Sequence, residues 1–89
     1  MKAIVSVFAK DSKGITAYVT ALLAEKEINI LDISQTVMQG YFTMMMVVDV
    51  SGSNCPLTEL AQKLEEKGKE MGLSIRLQRE EIFEAMHRV

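Results

Sequence analysis

The sequence predicts an α+β domain with the element order β-α-β-β-α-β, and three observations carry that expectation. Two stretches place apolar residues at helical spacing, and each follows a run that alternates with period two. A Gln39-Gly40 turn joins the two middle strand-like runs as a tight hairpin. A further short strand-like run follows the second helix. Two βα units joined by a hairpin define the split βαβ, or ferredoxin-like, sandwich: a four-stranded antiparallel sheet with two helices on one face. Right-handed crossovers put the first and third strands in the centre and the second and fourth at the edges. Residues 1–79 are expected to form this domain, and residues 80–89 a short C-terminal helical tail.

Lys2 to Lys10 opens the chain as a strand. Ala3, Val5, Val7 and Ala9 alternate with Ile4, Ser6, Phe8 and Lys10, so both faces carry apolar groups, as in an interior strand. The junction Asp11-Ser12-Lys13-Gly14 leads into a helix whose stripe is Ile15, Val19, Leu22 and Leu23. Ala17, Ala21 and Ala24 favour that helix, which ends near Glu25–Glu27. Ile28 to Met38, rich in Ile, Thr and Val, is the second strand, and Tyr41 to Val50 the third. Phe42, Met44, Met46, Val48 and Val50 form the more apolar face of the third strand. The triplet Met44-Met45-Met46 offers thioethers to a soft metal, but period two splits it between faces, which fits adaptable core packing better.

Pro56 belongs to the first turn of the second helix. Leu57, Leu60, Ala61, Leu64 and Met71 form its buried stripe; Glu59, Lys63, Glu66, Lys67 and Glu70 form its wet face. Gly72 stops it. Gly68 inside it costs about 1 kcal/mol relative to Ala, which implies either close packing or a frayed end. Leu73 to Arg79 is the fourth strand, with Leu73, Ile75 and Leu77 on one side. Ile82, Phe83, Met86 and Val89 then recur along one stripe of the tail.

Eighty-nine residues make one small domain. Such a chain buries only about 60–65% of its unfolded surface, so a partner subunit is a reasonable second stabiliser. A net charge of −2 argues against nucleic acid or an anionic membrane as a partner. The lone cysteine, Cys55, allows neither an internal disulfide framework nor a multi-cysteine metal site. A free thiol fits a reducing compartment, and no apolar run reaches the ~18 residues needed to span a bilayer. The first ten residues resemble a signal segment only superficially, because they are short and alternate as a strand does. The expected location is cytoplasmic.

Two features point to association. The second strand would be an edge, long and without Pro, with Asp32 as its only charge, and such edges invite pairing with another chain. The sheet face away from the helices would carry Ile4, Phe8, Met45 and Val47. The tail stripe, from the same or a partner subunit, is the expected cover for that face. Alternatively these residues lie scattered on a wet sheet.

The fold alone decides nothing about function. A heavy-metal carrier needs Cys-x-x-Cys in the first loop, where this chain has Asp-Ser-Lys-Gly. An RNA binder needs aromatics on the central strands and a basic surface. A phosphatase needs an arginine cradle where Lys13 stands alone. His87, the single histidine, lies in the tail, and Ser6 and Ser12 lack a His–carboxylate pattern. Asp11 and Asp32 could pair as acid and base, but a turn residue and a solvated edge charge explain them better. No catalytic residue, metal site or cofactor is expected, and the chain reads as a non-enzyme.

One stretch draws attention instead. Asp11-Ser12-Lys13-Gly14-Ile15 sits where a strand hands over to a helix, whose first N–H groups have no intrahelical partner. Such a junction can hold a small anion or polar ligand, or can be nothing more than a βα turn. Val5-x-Val7 before Asp11-x-x-Gly14-Ile15, then a helix, then Ile28-Asn29-Ile30 opening the second strand, together resemble the ACT domain family. The likeness covers residues 2 to about 79. The tail resembles free-standing prokaryotic ACT proteins of unassigned function, and the core is similar to halves of the glycine cleavage repressor and the N-terminal domain of formyltetrahydrofolate deformylase.

The resemblance implies a small regulatory module that senses an amino acid or related metabolite at a homodimer interface. It implies ligand contacts at Asp11, Gly14 and Ile15 of the first junction and at Asn29 and Ile30 of the second strand. Helix-start N–H groups at Ile15 and Thr16 would hold a carboxylate, while Asp11 and Asn29 meet an ammonium. A protein-interaction or dimerisation module without a small ligand is the alternative. The plainer alternative has Gly14 serving the turn and Asn29 as a helix-terminal residue in the left-handed region.

Overall fold

The computed structural model describes residues 2–10 and 14–81. Its elements follow the expected order: β1 (Lys2–Ala9), α1 (Ile15–Glu25), β2 (Asn29–Met38), β3 (Tyr41–Asp49), α2 (Leu57–Glu70) and β4 (Ser74–Arg79). The sheet is antiparallel throughout, in the order β2-β3-β1-β4. As expected, β1, which reads as apolar on both faces, and β3 are the central strands.

One sheet face and both helices enclose the core. Ala3, Val5 and Val7 of β1 and Phe42, Met44, Met46 and Val48 of β3 meet Ile15, Val19 and Leu23 of α1 and Leu60 and Leu64 of α2. Ile75 and Leu77 close it from β4. Met44 and Met46 are fully buried while Met45 lies on the opposite face, as period two requires. The hairpin between β2 and β3 turns on Gln39 and Gly40, at φ 50° and 84°, the signature of a primed turn whose twist matches the strands.

Both helices end in the same hydrogen-bonded arrangement. For α2, the Gly72 N–H donates to the Lys69 carbonyl at 3.2 Å and the Leu73 N–H to the Gly68 carbonyl at 2.7 Å, with Gly72 at φ 74°. This closes the orphan carbonyls of the last turn. The helix therefore stops at Glu70, and Met71 lies outside the buried stripe expected for it, 57% exposed. Its place against the sheet goes to Gly68, where a Cβ would stand 3.0 Å from Ile75 Cγ1 and 3.1 Å from the Leu73 carbonyl oxygen. Close packing, and not fraying, explains that glycine. Pro56 occupies the N-cap position just before the first turn.

The fold leaves β2 in an unusual state. Every residue from Leu31 to Met38 is exposed on both faces, because the helix layer covers β3, β1 and β4 but not this edge. The residues expected to form the tail stripe, from Ile82 onward, and the tail's His87 lie outside the described residues.

Candidate functional site

The two halves of the expected site lie at opposite ends of the molecule. The first is the start of α1. Gly14 caps the helix at φ 73°, a left-handed conformation that a side chain would strain, and makes no side-chain capping bond. The first intrahelical bond runs from the Tyr18 N–H to the Gly14 carbonyl at 3.1 Å. The N–H groups of Ile15, Thr16 and Ala17 precede it and so face away from the helix ladder. The first turn contains no acidic residue, so the positive end of the helix dipole is not offset within the helix. A solvent-open cavity of about 410 Å³ adjoins this end, lined by Lys10, Gly14, Ile15, Tyr18 and the Met71–Leu73 turn. Asp11 lies outside the described residues.

The second half is the start of β2. The left-handed residue at this helix end is Glu27, at φ 58°; its N–H donates to the Ala24 carbonyl and that of Ile28 to the Leu23 carbonyl, each at 3.0 Å. Glu27 thus does the work that Asn29 was a candidate to do. Asn29 opens β2 as an exposed strand residue opposite Asp49 of β3. Ile30 is half-buried against the core, and the sheet register slips by one residue between Ile30 and Asp32. That bulge at Leu31 bends the strand next to the candidate contacts.

Asp49 and Lys2, of opposite charge, pair at this end of the sheet. The Ser51 hydroxyl and then its N–H hold the Asp49 carboxyl down to about 2, the N–H donating to Oδ1 at 2.9 Å.

Within one chain these halves do not meet. Asn29 belongs to the row Asn29–Asp49–Lys2, whereas the row Phe42–Ala9 precedes Gly14. Seven strand intervals separate the rows, about 23 Å. The structure therefore groups Gly14 with Ile15, and Asn29 with Ile30, as two half-sites.

Sequence reasoning did not single out Tyr18 or the Met71–Leu73 turn as neighbours of Gly14. Strand order held the signal: β4 lies beside β1, so the turn that enters β4 stands next to the exit of β1. Tyr18 also ties the two helices together, its hydroxyl donating to the Lys67 carbonyl at 3.3 Å. Among the described residues no group of three or more His, Cys, Asp or Glu side chains could hold a metal ion. No helix among them is long and apolar enough to cross a membrane.

A βαββαβ sandwich with an uncapped helix start beside a left-handed glycine defines a small ferredoxin-like domain. Comparison with known proteins makes the assignment narrower. The model of the ACT domain matches residues 2–78, and the chain belongs to that family of ligand-binding regulatory modules. It is 54% identical over 89 residues to a UPF0237 protein of Clostridium acetobutylicum, covering 100% of both chains. It superposes on an ACT domain protein from Streptococcus pneumoniae with a TM-score of 0.83 and 46% identity, covering 98% of each. A putative glycine cleavage system transcriptional repressor has the same fold, with a TM-score of 0.77 at 22% identity over 86% of this chain and 45% of its own. The expected fold and family are thus confirmed.

Proposed function

We propose that this protein is a homodimeric sensor of an amino acid or a related small metabolite, bound where two subunits meet. The observation that carries the proposal is the separation of the half-sites on a fold whose β2 edge is bare. Two β2 strands paired antiparallel about a two-fold axis set residue 29 of one beside residue 38 of the other. Met38 faces Tyr41, next to the Phe42–Ala9 row from which the Gly14 junction emerges. Dimerisation by this edge thus removes the offset of about 23 Å along the strands and brings the two half-sites to the same end of a continuous sheet. Asp11, Gly14 and Ile15 of one subunit then face Asn29 and Ile30 of the other. The helix-start N–H groups receive a carboxylate, and Asp11 with Asn29 receives an ammonium.

A ligand held across the interface stabilises the dimer in proportion to RT ln(1 + [L]/Kd), about 2.7 kcal/mol at a hundredfold excess over Kd. The test is a thermal-shift screen across amino acids and related metabolites. At least one should raise Tm by several degrees, and Asn29→Ala should abolish that rise while leaving the ligand-free Tm unchanged. A flat response across the panel refutes the proposal.

A second reading rests on the open sheet face, where Phe8, Met38 and Tyr41 are exposed at one end. They suit a protein-interaction module that needs no small ligand. A pull-down partner lost on Phe8→Ser, in a chain that gives no ligand response, favours that reading.

A further inference from the structure

The helix side of β2 carries no charge. Ile30, Ile33, Gln35 and Val37 stand opposite Val48, Met46, Met44 and Phe42, all buried in the core, whereas Asp32 pairs with Val47 on the other face. Val37 is 61% exposed, although its cross-strand partner Phe42 is only 2% exposed. The helix layer makes the difference. The first turn of α1 lies over β3, where the Thr16 hydroxyl donates to Met44 Sδ at 4.0 Å, and β2 beyond it is left open.

Val37 heads a row across the sheet. Val37, Phe42 and Ala9 lie side by side, and the Gly14 junction leaves from the Ala9 end. In the β2–β2 pair described above, residue 29 of one chain stands beside residue 38 of the other. The same pairing sets Val37 beside Ile30 of the partner subunit. Phe42 lies beneath the helix layer and Val37 does not. Val37 is therefore the one open step between the helix start of one subunit and the second strand of the other.

We propose that Val37 is the floor of the shared site and selects an amino acid with an apolar side chain. This assignment rests on the interface reading and adds the class of ligand to it. A ligand that reaches from Gly14 and Ile15 to the partner's Asn29 and Ile30 has to lie across Val37. Its side chain meets the methyl groups of Val37 and of Ile30 of the partner subunit. Two strand spacings, about 10 Å, separate Phe42 from that isoleucine, which is room for a single side chain. Polar partners are out of place for it. Gln35 stands two residues along the strand, about 7 Å away, and the Thr16 hydroxyl is turned toward Met44. A polar side chain would lose water over Val37 without gaining a hydrogen bond.

The test is calorimetric titration of the full-length protein with L-leucine and with its near-isostere L-asparagine. Leucine should bind at least about tenfold more tightly. Val37→Thr keeps the shape of the floor and adds a hydroxyl, so the ratio of the two Kd values should fall to about threefold or less. Reading the ratio removes any general weakening that the substitution brings. Asparagine binding as tightly as leucine, or a ratio unmoved in Val37→Thr, overturns the assignment. If that binding is still lost in Asn29→Ala, the interface reading stands and the role of Val37 alone fails. Binding of neither probe also overturns the apolar class, and the thermal-shift panel then decides separately whether the interface takes another ligand.

Discussion

Replacing Ile33 by Lys should convert the proposed dimer to a monomer without unfolding the subunit. The midpoint of β2 falls between Ile33 and Ser34, so in an antiparallel β2–β2 pair the two copies of residue 33 flank the two-fold axis. Leu31, Ile33, Val37 and Met38 retain 39–67% of their surface in the single chain, equivalent to about two whole side chains per protomer. Burying two such side chains contributes about 3–6 kcal/mol per protomer. Association costs about 4–15 kcal/mol in lost freedom, so the proposed dimer sits near balance and responds steeply to small changes.

Ile33→Lys removes one apolar contribution from each subunit and brings two ammonium groups close together at the axis. A combined loss of about 3 kcal/mol corresponds to a rise of more than a hundredfold in the dimer Kd. Ile33 is already partly exposed and lies outside the core cluster, so the isolated fold should lose about 1 kcal/mol or less. Sedimentation equilibrium over a range of concentrations measures the Kd, and circular dichroism checks the fold. A folded Ile33→Lys protein with an unchanged Kd would place the subunit contact elsewhere and remove the argument for a shared site.

Two further predictions concern the half-sites and the core beneath them. Asp49 is held down to about 2 by Ser51, below its ordinary 3.8, so its carboxylate supports the folded state fully above about pH 4. That support is lost as pH falls from there through about 2, and Ser51→Ala should move the NMR titration midpoint of Asp49 back toward 3.8; a midpoint that stays put refutes Ser51 as the cause. Gly68→Ala gains about 1 kcal/mol of helix propensity, but its Cβ would press on buried Ile75 and on the Leu73 carbonyl, whose own residue is hydrogen-bonded back to Gly68. Overpacking of this kind costs about 1–3 kcal/mol, so chemical denaturation should show a net loss of about 1 kcal/mol, and a gain in stability would contradict the packing account.

The fold was legible because each element announced itself locally. Period two in β1 and β3, the apolar stripe and the alanines of α1 and the Gln39-Gly40 turn all name their own conformations without reference to the rest of the chain. The misread positions are those where a neighbour decides. Met71 continues the apolar spacing of α2, but Gly72 in the left-handed region ends the helix first and turns Met71 outward. Asn29 is the familiar residue type for a left-handed helix end, yet the helix closes two residues earlier on Glu27.

By itself the sequence determined the element order and the sheet's central and edge strands. Those properties follow from side-chain alternation, turn chemistry and the handedness of crossovers, all of which act over a few residues. Only the tertiary structure decided that Gly14 and Asn29 stand at opposite ends of one subunit and that neither α1 nor α2 shelters β2. Both depend on strand register and on where two helices of limited width come to rest over four strands. No local pattern encodes the distance between residues that the sheet sets about 23 Å apart.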